Sequence, residues 1–186
     1  MKWLIKEWPY AALFAAVLLL LLTPFILALG WPLALIYLQL PAYMLHQFEE
    51  HDRDRFRLFA NQLIGHGREA FTPLAIFVIN SAGVWGIDLL ALYLAYFVDL
   101  SFGLIAIYLP LVNAFTHIVV AVALRRYNPG LWTALGIFIP LGIWSLVVVS
   151  SASGAGWGAQ ALSLGGAILI HMMIMGYVRL RLRRLA

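Results

Sequence analysis

Apolar residues along this chain are gathered into long, nearly uninterrupted runs. Because a helix that crosses a bilayer needs about 20 mostly apolar residues, the runs predict an all-α, polytopic transmembrane bundle of about six helices. The predicted helices cover residues 9–29, 32–50, 73–98, 102–124, 131–150 and 157–178. Clusters of Gly, Pro, Asn, Asp and Ser separate most of these segments, as expected of turns between helices. We therefore expect one transmembrane domain over residues 1–186.

The first two runs need separate comment. The first is longer than the ~7–15 apolar residues of a signal peptide, so we expect it to be retained as a helix. The second gives the weakest helix prediction of the six, because its apolar part ends near Phe48 and charged residues follow.

The connection over residues 51–70 is polar but carries spaced large apolar side chains, namely Phe56, Leu58, Phe59, Leu63 and Ile64. This pattern is typical of an amphipathic segment that lies in a membrane interface. One interpretation is a lid or a platform for lipid access to the bundle. The alternative is a plain surface connector.

If the chain crosses the membrane six times, its basic residues all fall on one side of the membrane. One side holds all 12 Lys and Arg residues: Lys2, Lys6, Arg53, Arg55, Arg57, Arg68, Arg125, Arg126, Arg179, Arg181, Arg183 and Arg184. Cytoplasmic loops carry such an excess, so we expect both termini in the cytoplasm, with the bundle in the inner membrane of a prokaryotic cell. An odd number of helices would scatter these charges, which supports the count of six.

Composition agrees with burial in lipid, since 64% of residues are hydrophobic and only 11% are charged. The net charge of +4 follows from topology, so no nucleic-acid partner is expected. The lipid bilayer is the expected partner, and no oligomeric state is indicated. The chain has no cysteine, which excludes disulfides and thiolate metal ligands. No phosphate-binding loop or dinucleotide fingerprint is present, so no nucleotide cofactor is expected.

Ionisable residues in membrane helices are costly and point to function. His46, Glu49 and Glu50 at the end of the second run share one helical face, because positions i, i+3 and i+4 lie together. An imidazole and two carboxylates form a partial ligand set for Zn, Fe or Mn, or a proton-transfer set without metal. The alternative is a helix end that meets water and nearby arginines.

Other predicted helices carry Asn80, Asn113, His117 and His171. At 1.5 Å per residue, His46, Asn80, His117 and His171 all lie roughly 10–13 Å inside the nearest inner boundary. Asn113 lies one turn further in. This shared depth predicts one buried site that opens toward the cytoplasm, although each residue alone could simply bond across helices. Asp88 lies well above this layer, and His51 and His66 are not expected to be ligands.

The segment from His46 to Glu50 reads His-Gln-Phe-Glu-Glu, and it resembles the motif of the HXXEE family of membrane proteins. The Asn113-x-x-x-His117 spacing and the Tyr-Asn-Pro-Gly turn at 127–130 are also similar to that family, as is Pro140. The resemblance covers roughly residues 40–144. It implies a small polytopic fold and a candidate site, without a reaction. The positions it carries over are His46, Glu49, Glu50, Asn113, His117, Tyr127 and Pro129.

Three functions fit these residues. The first is an intramembrane metalloenzyme for a lipid or another hydrophobic substrate, with Zn, Fe or Mn held by His46, Glu49, Glu50, His117 and His171. Asn80 and Asn113 would join Glu49 and Glu50 in the catalytic site. The second is a metal-free lipid isomerase, hydratase or cyclase, in which Glu49 or Glu50 and a histidine move protons. The third is a membrane protein that binds or transports a metal, a lipid or protons.

Overall fold

The apolar runs fold into helices in the computed structural model, which describes residues 2–185. These residues contain six long helices, one short helix and no strand. The helices are α1 (Lys2–Leu27), α2 (Trp31–His51), the short α3 (Arg55–Leu63), α4 (Pro73–Phe97), α5 (Leu100–Leu124), α6 (Leu131–Ser153) and α7 (Trp157–Arg184). The prediction of an all-α bundle of about six helices is confirmed. The terminal residues of the predicted domain, 1 and 186, lie outside the described part.

Five of the long helices, all except α2, are long and apolar enough to cross a membrane. The chain is therefore an integral membrane protein. In α2, 15 of 21 residues are buried within the protein. A helix surrounded by other helices needs no lipid-facing apolar surface, which explains why a run that ends in charged residues lies inside the bundle.

Helices α1 and α2 form an antiparallel hairpin around a short turn at Gly30, where φ is +105°. A left-handed φ of this kind favours glycine, because it has no Cβ. The phenol of Tyr37 donates a hydrogen bond of 2.6 Å to the carbonyl of Leu19, and Tyr10 donates one of 2.7 Å to Asp52. The hairpin is thus held at both the middle and the end of α2.

The start of α1 and the end of α7 lie at the same end of the bundle. Trp8 near the start of α1 and Val178 near the end of α7 belong to one buried cluster, together with Ala60 and Phe71. Helix α3 packs its apolar side against this cluster through Phe56, so the predicted amphipathic connector is a short helix.

Two π-helical turns interrupt the regular hydrogen bonding of the bundle, and both lie beside the site described below. One covers Ile79–Trp85 in α4 and the other Ala134–Phe138 in α6. The second turn ends just before Pro140, which has no amide to donate to the carbonyl of Gly136. Such turns change the direction of the side chains around them and are frequent at functional sites.

Candidate metal centre

Three buried side chains converge between α2 and α5. Nε2 of His46 lies 3.6 Å from Oε2 of Glu50, and Nε2 of His117 lies 3.6 Å from Oε1 of the same carboxylate. The two imidazole rings are 5.0 Å apart between centroids. Potential ligand atoms of all three residues lie within 4.8 Å of one another, so they could hold a metal ion. We call His46, Glu50 and His117 the ligand cluster.

The His46 ring is oriented by Thr133 at the start of α6. Oγ1 of Thr133 lies 2.8 Å from Nδ1 of His46 and donates its own proton to Oε2 of Glu49. Since an ionised carboxylate can only accept, the hydroxyl must in turn accept from Nδ1–H. Nε2 of His46, which lies 3.6 Å from Glu50, then carries the lone pair of the ring.

The His117 ring is oriented by Asn128 in the turn between α5 and α6. Nδ2 of Asn128 donates to the carbonyl of His117 at 2.9 Å, so its Oδ1 faces Nδ1 at 2.6 Å and accepts from Nδ1–H. Nε2 of His117 therefore also carries a lone pair on the side of Glu50. Partners that hold the far nitrogen of an imidazole are usual for metal ligands.

Gly130 closes the cluster from the same turn. Its φ is +96°, and a Cβ at this position would lie 2.7 Å from Cε1 of both His46 and His117. No side chain fits there without displacing the rings. The turn that the resemblance singled out is thus a wall of the site.

Glu49 lies outside the ligand cluster, although the sequence places it on the same helical face as His46. Its Oε1 accepts hydrogen bonds from the phenol of Tyr127 and the amide of Trp132, and its Oε2 accepts from the amide and hydroxyl of Thr133. The carboxylate therefore satisfies free amides at the start of α6, where negative charge is favoured.

Tyr127 completes this contact at the edge of the bundle. Burial and then the bond to the Glu49 carboxylate raise the pKa of Tyr127 to about 12, so the phenol stays protonated and donates its hydrogen. The two glutamates of the motif thus have different surroundings: Glu50 faces the cluster, and Glu49 holds the first turn of α6.

Asn113 lies one turn before His117 and contacts the cluster directly. Its Nδ2 donates to Nε2 of His46 at 3.1 Å and to the phenol oxygen of Tyr43 at 3.0 Å. The first bond agrees with a lone pair on that nitrogen. Because this bond occupies Nε2 of His46, binding of an ion there requires the Asn113 amide to turn away or to present its oxygen to the ion.

A chain of polar contacts extends from Glu50 toward α4, in which Nε2 of His51 can either donate to Glu50 or accept from Asn80. Nε2 of His51 lies 3.1 Å from Oε2 of Glu50 and 3.3 Å from Nδ2 of Asn80. The Asn80 oxygen accepts from Gln47 at 3.0 Å, and Gln47 accepts from the indole of Trp85 at 2.7 Å. His51 therefore contacts the ligand cluster directly, and Asn80 contacts it only through His51.

A cavity of about 300 Å³ lies against the cluster. Glu50, His51 and His117 form part of its wall, and most of the remainder is apolar. Helix α3 contributes Phe56 and Phe59 to the lining. We call this space the site cavity.

His171 and Asp88 lie apart from the ligand cluster. Nδ1 of His171 lies 2.8 Å from the carbonyl of Ala167, and the ring lines the site cavity without joining the group of potential ligands. Asp88 is 2% exposed, and neither of its carboxylate oxygens has a hydrogen-bond partner among residues 2–185. Neither position therefore shares the geometry of His46, Glu50 and His117.

The sequence reasoning missed four residues that shape the site: Thr133, Asn128, Gly130 and His51. Asn128 and Gly130 were visible only as parts of a turn, and Thr133 as one of several hydroxyl residues in a helix. On an ideal helix His51 faces away from His46, so the sequence does not predict it as a ligand, but it is adjacent to Glu50 and contacts that side chain. Its place in the site follows from its contact with the Glu50 carboxylate and not from its position relative to His46.

Comparison with known proteins identifies a family for this chain. No curated protein matches the chain, and no solved structure matches it either. A family described as proteins of unknown function with an HXXEE motif matches residues 37–145, which is more than half of the 186 residues. The matched range includes most of α2, all of α5, the turn at 125–130 and the start of α6, and it contains every member of the ligand cluster. The chain belongs to the HXXEE family.

Proposed function

We propose that this protein is a membrane-embedded, metal-dependent enzyme that acts on a lipid or another hydrophobic substrate. The observation that carries the proposal is the ligand cluster, in which two imidazole nitrogens with oriented lone pairs face one carboxylate. Stability alone does not require this arrangement, because buried ionisable groups are costly in a membrane.

The separations of the ligand atoms suit a transition-metal ion. Two ligands bonded at about 2.1 Å to one tetrahedral ion lie about 3.4 Å apart, close to the 3.6 Å measured on each side of Glu50. Two histidines and one carboxylate, with further positions open, are typical of catalytic zinc and of non-haem iron. Manganese accepts the same donor types. Such an ion supplies activation of water or oxygen.

The surrounding residues have distinct parts in this proposal. His46, Glu50 and His117 would hold the ion, whereas Glu49 acts through Thr133 to orient His46 and is a positioning residue. Asn113 contacts Nε2 of His46 and can donate to or accept from a substrate through its amide. Asn80 acts through His51, one step further away.

The site cavity supports a hydrophobic substrate, since its lining is largely apolar with polar groups at one end, as in many ligand sites. Helix α3 covers the cavity and fits the role of a lid. We also propose that this end of the bundle faces the cytoplasm, because the basic residues gather in the segments that meet there.

A metal-free acid/base enzyme is the second candidate, and the Asn113 contact favours it. The amide already saturates Nε2 of His46, and His51 already contacts Glu50. Such a hydrogen-bonded network could move a proton to or from a lipid without any ion.

Elemental analysis of detergent-purified protein, after loading with Zn²⁺, Mn²⁺ or anaerobic Fe²⁺, separates the two candidates. We expect about one equivalent of tightly held metal, lost in His46→Ala and His117→Ala and retained in the control His66→Ala, whose side chain is exposed. Glu50→Gln, a smaller change, provides a third variant if a histidine variant fails to fold. A wild-type protein that holds no metal, or a folded His46→Ala variant that keeps it, would overturn the metal proposal.

A further inference from the structure

A lateral groove runs between α5 and α7 on the lipid-facing side of the bundle, with a volume of about 760 Å³. Its walls are mostly apolar and include Leu111 and Phe115 from α5 and Leu164, Ile168 and Met172 from α7. Its one charged lining residue is Arg179. Because α5 and α7 both have the length and composition of membrane spans, this groove faces acyl chains.

The lateral groove meets the site cavity. Thr116, His171 and Met175 line both spaces, so these side chains form a wall that the two share. A molecule lying in the groove is therefore adjacent to the cavity that contains Glu50 and His117. The site cavity is thus bordered by the lateral groove on the lipid-facing side, in addition to α3, which covers it.

The groove is longer than the hydrocarbon depth of one leaflet. From Leu164 to Arg179 the helix rises about 22 Å, whereas the hydrocarbon depth of one leaflet is about 15 Å. An acyl chain of the inner leaflet can therefore lie in the groove along its whole length. His171 is eight residues from Arg179, or about 12 Å, which places it beside the interior of such a chain.

Arg179 suits an anionic head group. It is exposed, and no acidic side chain within residues 2–185 lies in ion-pair distance of it. Arg181, two residues later, is instead held by Glu69 at 3.1 Å. A free guanidinium at the end of an apolar groove, at the level where basic residues meet the membrane surface, attracts a negatively charged head group.

We propose that the lateral groove binds one acyl chain with an anionic head group at Arg179, and that the site acts on a carbon in the interior of that chain. The proposal rests on the proposed function and specifies its substrate class. It differs from a site that acts at the head group, which would need the cluster at the level of Arg179.

Photo-crosslinking tests the binding register. A fatty acid with a diazirine in mid-chain, and a second one with the diazirine beside the carboxylate, would each be incorporated with the protein into lipid nanodiscs. We expect mid-chain crosslinks at Thr116, His171 and Met175, and carboxylate-end crosslinks near Gly176 and Arg179. Labelling spread evenly over lipid-facing helices, including α1, would overturn the proposal.

Two pairs of variants test the contacts. Gly176 lines the groove, and a Cβ there meets nothing within 4 Å, so Gly176→Leu fills the groove without disturbing the bundle. It should abolish mid-chain labelling, while Gly158→Leu, equally open at the other end of α7, should not. Arg179→Gln should lower labelling by about fivefold, and the exposed control Arg183→Gln should leave it unchanged.

Metal content separates the two proposals. Gly176→Leu and Arg179→Gln should keep the metal of the wild type, because neither residue touches the ligand cluster. Specific mid-chain labelling in a protein that binds no metal would support the groove and contradict the metal site. Unchanged labelling in Gly176→Leu would contradict the groove, whatever the metal content.

Discussion

Nδ1 of His46 lies 2.8 Å from Oγ1 of Thr133, although 87 positions separate the two residues in the chain. The same hydroxyl donates to Glu49, so the histidine and the first glutamate of the motif are connected through a residue of α6. The spacing between His46 and Glu49 therefore reflects a shared partner on another helix, and not two ligands for one ion.

Thr133→Val should weaken metal binding by about 10- to 100-fold, because the isosteric side chain no longer accepts from Nδ1–H and the ring loses its orientation. Thr133→Ser keeps the hydroxyl and should bind nearly as well as the wild type. Competition with a metal chelator measures both affinities. Equal affinity in the valine variant would show that the hydroxyl does not orient His46.

Glu49→Gln should change the stability of the protein, whereas Glu50→Gln should change its metal content. Both oxygens of Glu49 accept hydrogen bonds, so an NH₂ group there faces donors, and unfolding should become easier by about 1–2 kcal/mol with metal still bound. Glu50→Gln should lose the metal with little change in apo stability. Thermal unfolding in detergent and metal content measure the two effects. Loss of metal in both variants alike would contradict the division of roles.

Gly130→Ala should destabilise the protein by at least about 1 kcal/mol and reduce metal binding, since the added methyl is strained at φ +96° and lies 2.7 Å from both rings. Gly136→Ala is the control, because its Cβ meets nothing within 4 Å. Chelator competition and thermal unfolding apply again. A neutral Gly130→Ala would mean that the turn can move away from the cluster.

Asp88→Leu should stabilise the bundle by about 1 kcal/mol or more, because it removes a buried carboxyl whose oxygens have no partner in the described chain. Asn80→Leu should do the reverse, since Gln47 and the Ile76 carbonyl would each lose a partner. Denaturation in mixed micelles gives both changes. A strongly destabilised Asp88→Leu variant would show that the carboxyl makes a contact on which the fold depends.

The sequence predicts the helices well because membrane burial leaves a strong apolar signal. Predicted and observed bounds of the middle helices differ by no more than three residues, as in α5 and α6. Helices α1 and α7 extend further into the polar ends than hydropathy suggests, since a helix does not have to stop at the lipid boundary.

The site was predictable in part. Depth along each helix correctly brought His46 and His117 together, because rise per residue is nearly constant. Side-chain direction was harder to predict: Glu49 shares a helical face with His46 but turns toward α6, where free amides attract it. Which polar group a carboxylate meets depends on packing between distant segments. The residue pattern of a single helix contains no information about that packing.

The polarity of α2 bears on how the chain enters the membrane. A segment with His46, Gln47, Glu49 and Glu50 near its end is a poor substrate for insertion by itself. We therefore expect α1 and α2 to integrate as a pair during synthesis, joined by the short turn at Gly30. Deletion of α1 should leave α2 extractable by alkaline carbonate, whereas efficient integration without α1 would contradict this order of biogenesis.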